Sequence, residues 1–517
     1  MTVRSRLRHA RRAVLVLTTS VTLAISALLA VGTAAPSSAA SQGPCDIYAA
    51  GGTPCVAAHS TARALLAAYD GPLYQVQRAS DNSLDDIGLL SAGGIANAAA
   101  QDSFCAGTTC TITRIYDQTG DGNTLLYQGP GGTGGDDTAA IATTETVTVD
   151  GRKAYSLYIQ PGNSYWVHGS NVPTGSSPEG EYMVTSGTHV NNGCCFDYGN
   201  TETDHHADGN GAMDAINFST ECWFGGCTGT GPWVQADLEN GLFSGGAAAW
   251  NTSQVSETSH FVTAMLKNNG TTAMALEGAN ATTGSLTTLY SGALPSGYNP
   301  MKKQGAIILG SGGDCCQTNH NASAGTFYEG AIVKGYPSST TDAAVQANIV
   351  AAGYSTAASP FTPGARMSLQ ATTPCCTSDY LQHDPSDNKV VIAPLTSGSS
   401  ATDKADATWI VEPGLADSSC ISFQSANQSG QYLRHYAFEL YLETNDGTTQ
   451  FADDATFCPR TGNSGTGYSF ASFNYPAKYI RHYDFVAYIA SDGGSNRWDT
   501  TTLWAQDTSW LAASPWA

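Results

Sequence analysis

The stretch Trp233-Val-Gln-Ala-Asp-Leu-Glu239 carries two carboxylates at the spacing a strand would put on one face. Read as a strand, Trp233, Gln235, Asp237 and Glu239 point one way and Val234, Ala236 and Leu238 the other, so one face packs and one carries acid. Asn240-Gly241 then supplies a tight turn, leaving the acids at a strand end where a sheet can hold them against a cleft. A further acid, Asp314, follows the apolar run Ile307-Ile-Leu309 and a Gly-rich loop of the kind that lets backbone approach a ligand. Hydrolysis of a glycosidic bond needs two carboxyl groups. One protonates the leaving oxygen, and the other attacks the anomeric carbon or activates water. Glu239 and Asp314 are the candidate pair. The ordinary alternatives are a solvated sheet face for the strand and a turn-forming aspartate for the loop.

Composition limits what could position such a pair. The chain has 517 residues, a length that suggests about three domains. Its 41% hydrophobic content, with 24 Tyr, 15 Phe and 9 Trp, is ample for sizeable cores, and its 56 Gly and 21 Pro favour short strands and many turns. A net charge of −21 argues against nucleic acid as a partner, because phosphate contacts need clustered Lys and Arg. Residues 1–40 read as a secretory signal: an Arg-rich start, an apolar run from Ala13 to about Val31, and Ser38-Ala39-Ala40 before Ser41. A membrane anchor is the alternative for that run, but no later window approaches 18 apolar residues. The mature protein is therefore expected to be secreted, soluble and without a membrane partner.

Fourteen cysteines in an exported chain point to disulfides. Spacing suggests Cys45 with Cys55, Cys105 with Cys110, Cys222 with Cys227 and Cys420 with Cys458. Three adjacent couples remain, Cys194-Cys195, Cys315-Cys316 and Cys375-Cys376. Each could close a vicinal disulfide, which adds little stability because the loop is minimal but would offer a rigid apolar sulfur surface at a binding site. No Cys-x-x-Cys or His-x-x-x-His spacing supports zinc, so no metal is expected.

A run of small residues and prolines, Tyr354 to Gly364, marks a boundary, and beyond it lies a threefold repeat. Its units share Tyr380-Leu-Gln-His383, Tyr432-Leu-Arg-His435 and Tyr479-Ile-Arg-His482, and later Asp406-Ala-Thr-Trp409, Asp454-Ala-Thr-Phe457 and Asp507-Thr-Ser-Trp510. Alternating residues such as Leu440-Tyr-Leu442 suit strands, and three four-stranded units closing on an axis make a β-trefoil. The repeated His and Asp are either hydrogen-bond partners for a sugar or turn-fixing pairs. The segment before the boundary shows no repeat. Alternating pieces at Met183-Val-Thr, Val234–Glu239, Phe261–Leu266 and Ala306–Leu309 predict a β-sandwich, with helices at Ala57–Tyr69 and Asp342–Ala352.

Four segments carry a resemblance: Gly43-Pro-Cys-Asp-Ile-Tyr48 with its continuation to His59, Cys194-Cys-Phe-Asp-Tyr-Gly-Asn200, Ala236-Asp-Leu-Glu-Asn-Gly-Leu-Phe-Ser244 and Gly325-Thr-Phe-Tyr-Glu-Gly330. They closely resemble glycoside hydrolase family 54, the α-L-arabinofuranosidases, and the repeat resembles carbohydrate-binding module family 42. The resemblance implies an all-β chain: a signal at 1–40, a concanavalin-like jelly-roll sandwich at 41–355, a linker at 356–362 and an arabinose-binding trefoil at 363–517. It implies a retaining enzyme with Glu239 as nucleophile and Asp314 as acid/base. A vicinal disulfide, Cys194-Cys195, and Trp223 would flank the sugar ring, and Asp237, Asn240 and Gly313 would hold its hydroxyls. In the trefoil, His435 with Asp454 and His482 with Asp507 match ligand-binding pairs. His383 and Asp406 are present, but their intervening loop differs. The expected partner is arabinose-decorated plant polysaccharide, met by a monomer with no cofactor. A secreted, non-catalytic carbohydrate-binding protein is the alternative from another class, and a glycosidase for another sugar is chemically closer.

Overall fold

The structure, a computed structural model, describes residues 42–127, 137–224, 227–246, 254–310, 322–356, 359–418 and 420–517. Asp314, Gly313 and the Cys315-Cys316 couple lie outside the described residues.

Among the described residues, two large antiparallel sheets and a small pair, Thr146–Val149 with Arg152–Tyr155, form the N-terminal part. One runs in the order Cys55–Ser60, Gly325–Lys334, Glu179–Thr185, Val262–Asn268, Met274–Asn280 and Thr287–Gly292, with Leu157–Ile159 paired to Gly325–Lys334. The other has ten strands, and at one end Leu242–Phe243, Trp233–Asp237, Asp214–Ser219, Asp197–Thr201 and Ala306–Gly310 lie side by side. Val234, Ala236, Ile216, Tyr198 and Leu309 point between the sheets into one shared core. Strands such as Glu179–Thr185 and Val262–Asn268 are buried at every residue because helix Ser339–Ala351 covers their other face. There Lys267 Nζ meets Asp342 Oδ2 at 2.5 Å, and Val345 and Ile349 join the core.

The sequence predicts this helix at Asp342–Ala352, and it begins three residues earlier because Ser338 caps it: Ser338 Oγ accepts from the Thr341 N–H at 3.2 Å, and Asp342 stands in the first turn. The predicted helix at Ala57–Tyr69 is instead the strand Cys55–Ser60, paired antiparallel with Gly325–Lys334, followed by irregular chain. Its Ala-rich composition favours a helix locally, but Val56 to Ser60 are buried on both faces and lack alternation, so sheet pairing overrides propensity.

Charge is also buried between the sheets. Lys303 Nζ lies 2.8 Å from Glu179 and 3.3 Å from Asp214, while Glu181 accepts from the Asn200 N–H at 3.0 Å. Burial raises the Glu179 carboxyl to about 7 despite the attraction of Lys303. It lifts Glu181 well above the ordinary carboxyl range, with Glu179 and Asp214 adding to the rise.

The C-terminal part contains twelve strands in three successive groups of four, beginning at Arg366–Ala371, Ile421–Ser425 and Tyr468–Ser472. Each group adds one short helix, Ala401–Asp406, Thr449–Asp454 or Trp504–Asp507. Leu369, Leu381, Phe423, Leu433, Phe470 and Ile480, repeating in sequence, meet in a second core. Trp409 and Trp510 occupy equivalent places and donate their indole N–H to the carbonyls of Leu381 and Ile480. This is the trefoil that the repeat predicts. Phe361, within the stretch expected to be a linker, is buried against Tyr468 and Phe470.

The disulfides 45–55, 105–110, 222–227 and 420–458 are formed as the spacing suggests, and so are the vicinal bonds 194–195 and 375–376.

Candidate active site

Trp233–Asp237 and Leu242–Phe243 form a hairpin, with Asp237 opposite Leu242. The strand ends at Asp237, so Glu239 is not the next residue on its acidic face, as strand alternation predicts. It is the first of two left-handed residues in the turn, φ 66° at Glu239 and 56° at Asn240. A type I′ turn demands positive φ at both central positions, and Glu is a poor choice there, costing on the order of 1–2 kcal/mol. Such strain persists only where the surrounding contacts over-determine the backbone. Gly241 serves a different purpose from the predicted turn role: a Cβ there would sit 2.7 Å from the Phe224 ring.

Several bonds hold the turn. The Glu239 N–H donates to Asp237 Oδ1 at 3.2 Å, the Asn240 N–H donates to Glu239 Oε1 at 3.1 Å, and the Tyr298 hydroxyl donates to the Glu239 carbonyl at 2.8 Å. Asn240 Nδ2 donates to Asn210 Oδ1 at 3.0 Å. Burial, with the charges of Asp237 and Glu239, pushes the Tyr298 hydroxyl up to about 12, so it remains a donor across the working pH range. Glu239 and Asp237 are only 5% and 7% exposed, which rules out the solvated sheet face.

Cys194 and Cys195 stand beside Asp237: their sulfurs and an Asp237 carboxylate oxygen all lie within 4.8 Å of one another. Both sulfurs are used in the disulfide, leaving no thiolate for a metal. The row of residues facing Gln235 continues across the sheet through Asn217 to Asp197, where Asn217 Nδ2 donates to Asp197 Oδ1 at 2.7 Å. One loop residue ties the surroundings together. Asn191 Nδ2 donates to the Ala322 carbonyl, and its Oδ1 accepts from Gly193 and Ala324. Trp223, 48% exposed, stacks on Phe224, which packs on Phe243, which meets Tyr298 edge-on. An aromatic chain thus joins the Trp223 loop, closed by the 222–227 disulfide, to the Glu239 turn.

Cys194, Cys195, Asp237, Glu239 and Asn240 are therefore gathered at one strand end, with Trp223 on a loop packed against the same hairpin. Sequence reasoning did not single out Tyr298, Asn210, Asn217, Asp197 and Asn191. Alternation in Asp197-Tyr-Gly and in Ile216-Asn-Phe was the available signal for the polar row. Nothing local marks Tyr298.

The trefoil pairs do meet. His435 Nε2 is 3.3 Å from Asp454, His383 Nε2 is 3.3 Å from Asp406, and His482 Nε2 is 3.8 Å from Asp507. Each is completed by the following repeat in the closed ring. Asn474 accepts from His435 at 2.9 Å and donates to Asp454 at 2.7 Å. Thr373 accepts from His482 and donates to Asp507, both at 2.8 Å, and Asn427 donates to Asp406 at 2.6 Å. Arg434 and Arg481 hold the second and third aspartates, where the first repeat has Gln382. Burial lowers His435 and His482 below the ordinary histidine range, so both are neutral near pH 7. The bridging residues share one register, five residues after Ser368, Ser422 and Ser469, a signal available in the repeat itself.

Comparison with known proteins agrees with this architecture. The family model described as "Alpha-L-arabinofuranosidase B, catalytic" matches residues 44–355, and that of the "Alpha-L-arabinofuranosidase B (ABFB) domain" matches 369–512. The chain is 52% identical over 505 residues to a probable α-L-arabinofuranosidase B of Aspergillus terreus, covering 95% of this chain and 98% of that one. It is 51% identical over 455 residues to an α-L-arabinofuranosidase of Hypocrea jecorina, covering 86% and 89%. A solved arabinofuranosidase complexed with arabinofuranosyl-α-1,2-xylobiose is 48% identical, with a TM-score of 0.59 over 92% of this chain and 100% of that one.

Proposed function

The chain belongs to glycoside hydrolase family 54, an α-L-arabinofuranosidase with a C-terminal arabinofuranosidase B domain, and from that premise we propose that it is a secreted, retaining, exo-acting enzyme. It releases terminal L-arabinose from arabinoxylan or arabinan side chains by double displacement. The observation that carries this reading is Glu239 itself: a buried carboxylate held in a left-handed turn by Asp237, which in turn stands beside a vicinal disulfide.

Glu239, ionised, attacks the anomeric carbon of a terminal α-L-arabinofuranosyl unit while Asp314 donates a proton to the leaving oxygen. An arabinosyl-enzyme forms with inverted configuration. Water, deprotonated by Asp314, then attacks from the opposite face and restores the original configuration. Cys194–Cys195 and Trp223 give the furanose apolar surfaces, and Asp237, Asn240 and Gly313 hold its hydroxyls. Neither metal nor organic cofactor takes part. The solved relative bound to an arabinofuranosyl-xylobiose supports arabinose-substituted xylan as a substrate. The trefoil, through His435 with Asp454 and His482 with Asp507, keeps the enzyme on the polymer and raises the local substrate concentration. The leader and six described disulfides support export, and a single chain carries every part of the proposed machinery.

The test is hydrolysis of 4-nitrophenyl α-L-arabinofuranoside. Wild type turns it over, Glu239→Gln loses at least about a thousandfold in kcat, and Glu239→Gly with azide yields β-L-arabinofuranosyl azide. An α-configured azide product, or an active Gln variant, removes Glu239 from the nucleophile's role.

A further inference from the structure

The three trefoil sites share a hydrogen-bonding pattern but differ in what stands next to it. After the bridging residue, the second site has Tyr475, the third has Pro374-Cys375-Cys376 and the first has Gln428. Tyr475 meets the His435 ring edge-on at 5.5 Å and the Phe438 ring at 5.2 Å, giving that site an aromatic wall. Phe438 sits in a tight hairpin, with φ 49° at Ala437 and 71° at Phe438, between the paired residues Tyr436 and Glu439. The third repeat copies this hairpin with φ 50° at Asp484 and 66° at Phe485. Bulky residues rarely adopt such backbone, so the second and third repeats share a strained hairpin with Phe at the same place.

Phe485, however, is 60% exposed, and no aromatic residue follows Thr373 to meet it. The loop from Thr373 to Tyr380 is instead two residues longer than its counterparts and contains the Cys375–Cys376 disulfide. The Cys376 N–H donates to the Thr373 carbonyl at 2.9 Å, so the disulfide is folded directly onto the residue whose hydroxyl bridges His482 and Asp507. Cys376 is buried while Cys375 is exposed. A two-residue crosslink removes almost no chain entropy, so stability does not account for it. Sulfur is apolar and polarizable, a surface suited to the C–H face of a small sugar ring.

We propose that the Cys375–Cys376 disulfide is the apolar wall of an arabinofuranosyl site formed by His482, Asp507 and Thr373, in the role Tyr475 has at the second site. This rests on the reading of the trefoil given above. The first site has neither wall nor hairpin Phe: Gln428 follows Asn427, and the turn after His383 is longer and built on Asp384 to Lys389. Two working sites follow, the second and the third.

The experiment uses the full chain carrying Glu239→Gln, so that polymer is not cut, and measures affinity for soluble arabinoxylan. Asp454→Ala leaves the third site as the trefoil's remaining contribution, and Asp454→Ala with Asp507→Ala sets the baseline. Adding Cys375→Ala and Cys376→Ala to Asp454→Ala is expected to weaken binding by about fivefold to tenfold, towards that baseline. The same cysteine changes in an Asp507→Ala background should leave second-site binding intact, which shows that the trefoil still folds. Undiminished third-site binding without the disulfide overturns the proposal. So does loss of second-site binding in the control, because the cysteines are then structural. If Asp507→Ala costs nothing in the Asp454→Ala background, the reading of the trefoil site itself fails, a result distinct from failure of the disulfide alone.

Discussion

Asp237 accepts the backbone N–H of Glu239 at 3.2 Å, so one carboxylate fixes the backbone that aims the other. Tyr298 holds the same turn from the carbonyl side. Tyr298→Phe keeps the ring packed on Phe243 but leaves the Glu239 carbonyl without this donor, costing about 1–2 kcal/mol of stability. Because the turn then samples other geometries, kcat on the 4-nitrophenyl substrate should fall about tenfold with KM nearly unchanged. Steady-state kinetics and denaturant unfolding on the same preparation check both numbers.

Backbone strain at Glu239 predicts a stability order opposite to helix or strand propensity. At φ 66° glycine is unstrained and alanine is not. Glu239→Gly should therefore be more stable than Glu239→Ala by about 1 kcal/mol, with both inactive. Equal melting temperatures would mean that the turn relaxes out of the left-handed region.

The buried acids between the sheets predict how stability varies with pH. Glu181 in the folded state holds its proton well above the unfolded value of about 4.3. Between those two values the folded protein binds more protons than the unfolded chain, so this group's contribution falls as pH rises, by up to about 1.4 kcal/mol per pH unit. Glu181→Gln, an isostere of the protonated acid, should match wild type near pH 4 and exceed it in stability by pH 7. Unfolding curves at those two pH values decide the matter.

In the trefoil, Asn474→Ala removes the group that links His435 to Asp454. Affinity for arabinoxylan should drop severalfold, in line with about 1 kcal/mol for a neutral hydrogen bond. Hydrolysis of the small chromogenic substrate should not change, since that reaction does not use the trefoil. Assaying both on one preparation separates binding from catalysis.

Much of this architecture was legible because its signals are periodic or adjacent. The threefold repeat gave the trefoil, alternation gave the core strands, and close cysteine spacing gave the described disulfides except 420–458, the couple left once the near and adjacent cysteines are paired. The failures have a common cause in tertiary context. Ala57 to Tyr69 reads as a helix because no local signal says that both faces of Val56 to Ser60 are buried. Glu239 reads as a strand residue because nothing in Leu238-Glu-Asn-Gly241 fixes which pair forms the turn. Register against Leu242 and Phe243 decides that. Tyr298 reaches Glu239 from 59 positions away, a distance at which one sequence carries no pattern.

No trefoil repeat holds a complete hydrogen-bonded set of its own. Asn427, Asn474 and Thr373 each complete the His–Asp pair of a neighbouring repeat, so every such cluster lies on a seam. Excising the middle repeat would remove its own pair and also strip Asn427 from the site before it. A single repeat carries one His–Asp pair and the bridging residue of its neighbour's pair, so three separate copies would have to close into a ring to assemble the same bonds. Because each seam joins two different repeats, the residue after the bridge can change at one seam without touching the others, and Gln428, Tyr475 and Pro374 stand at those three places.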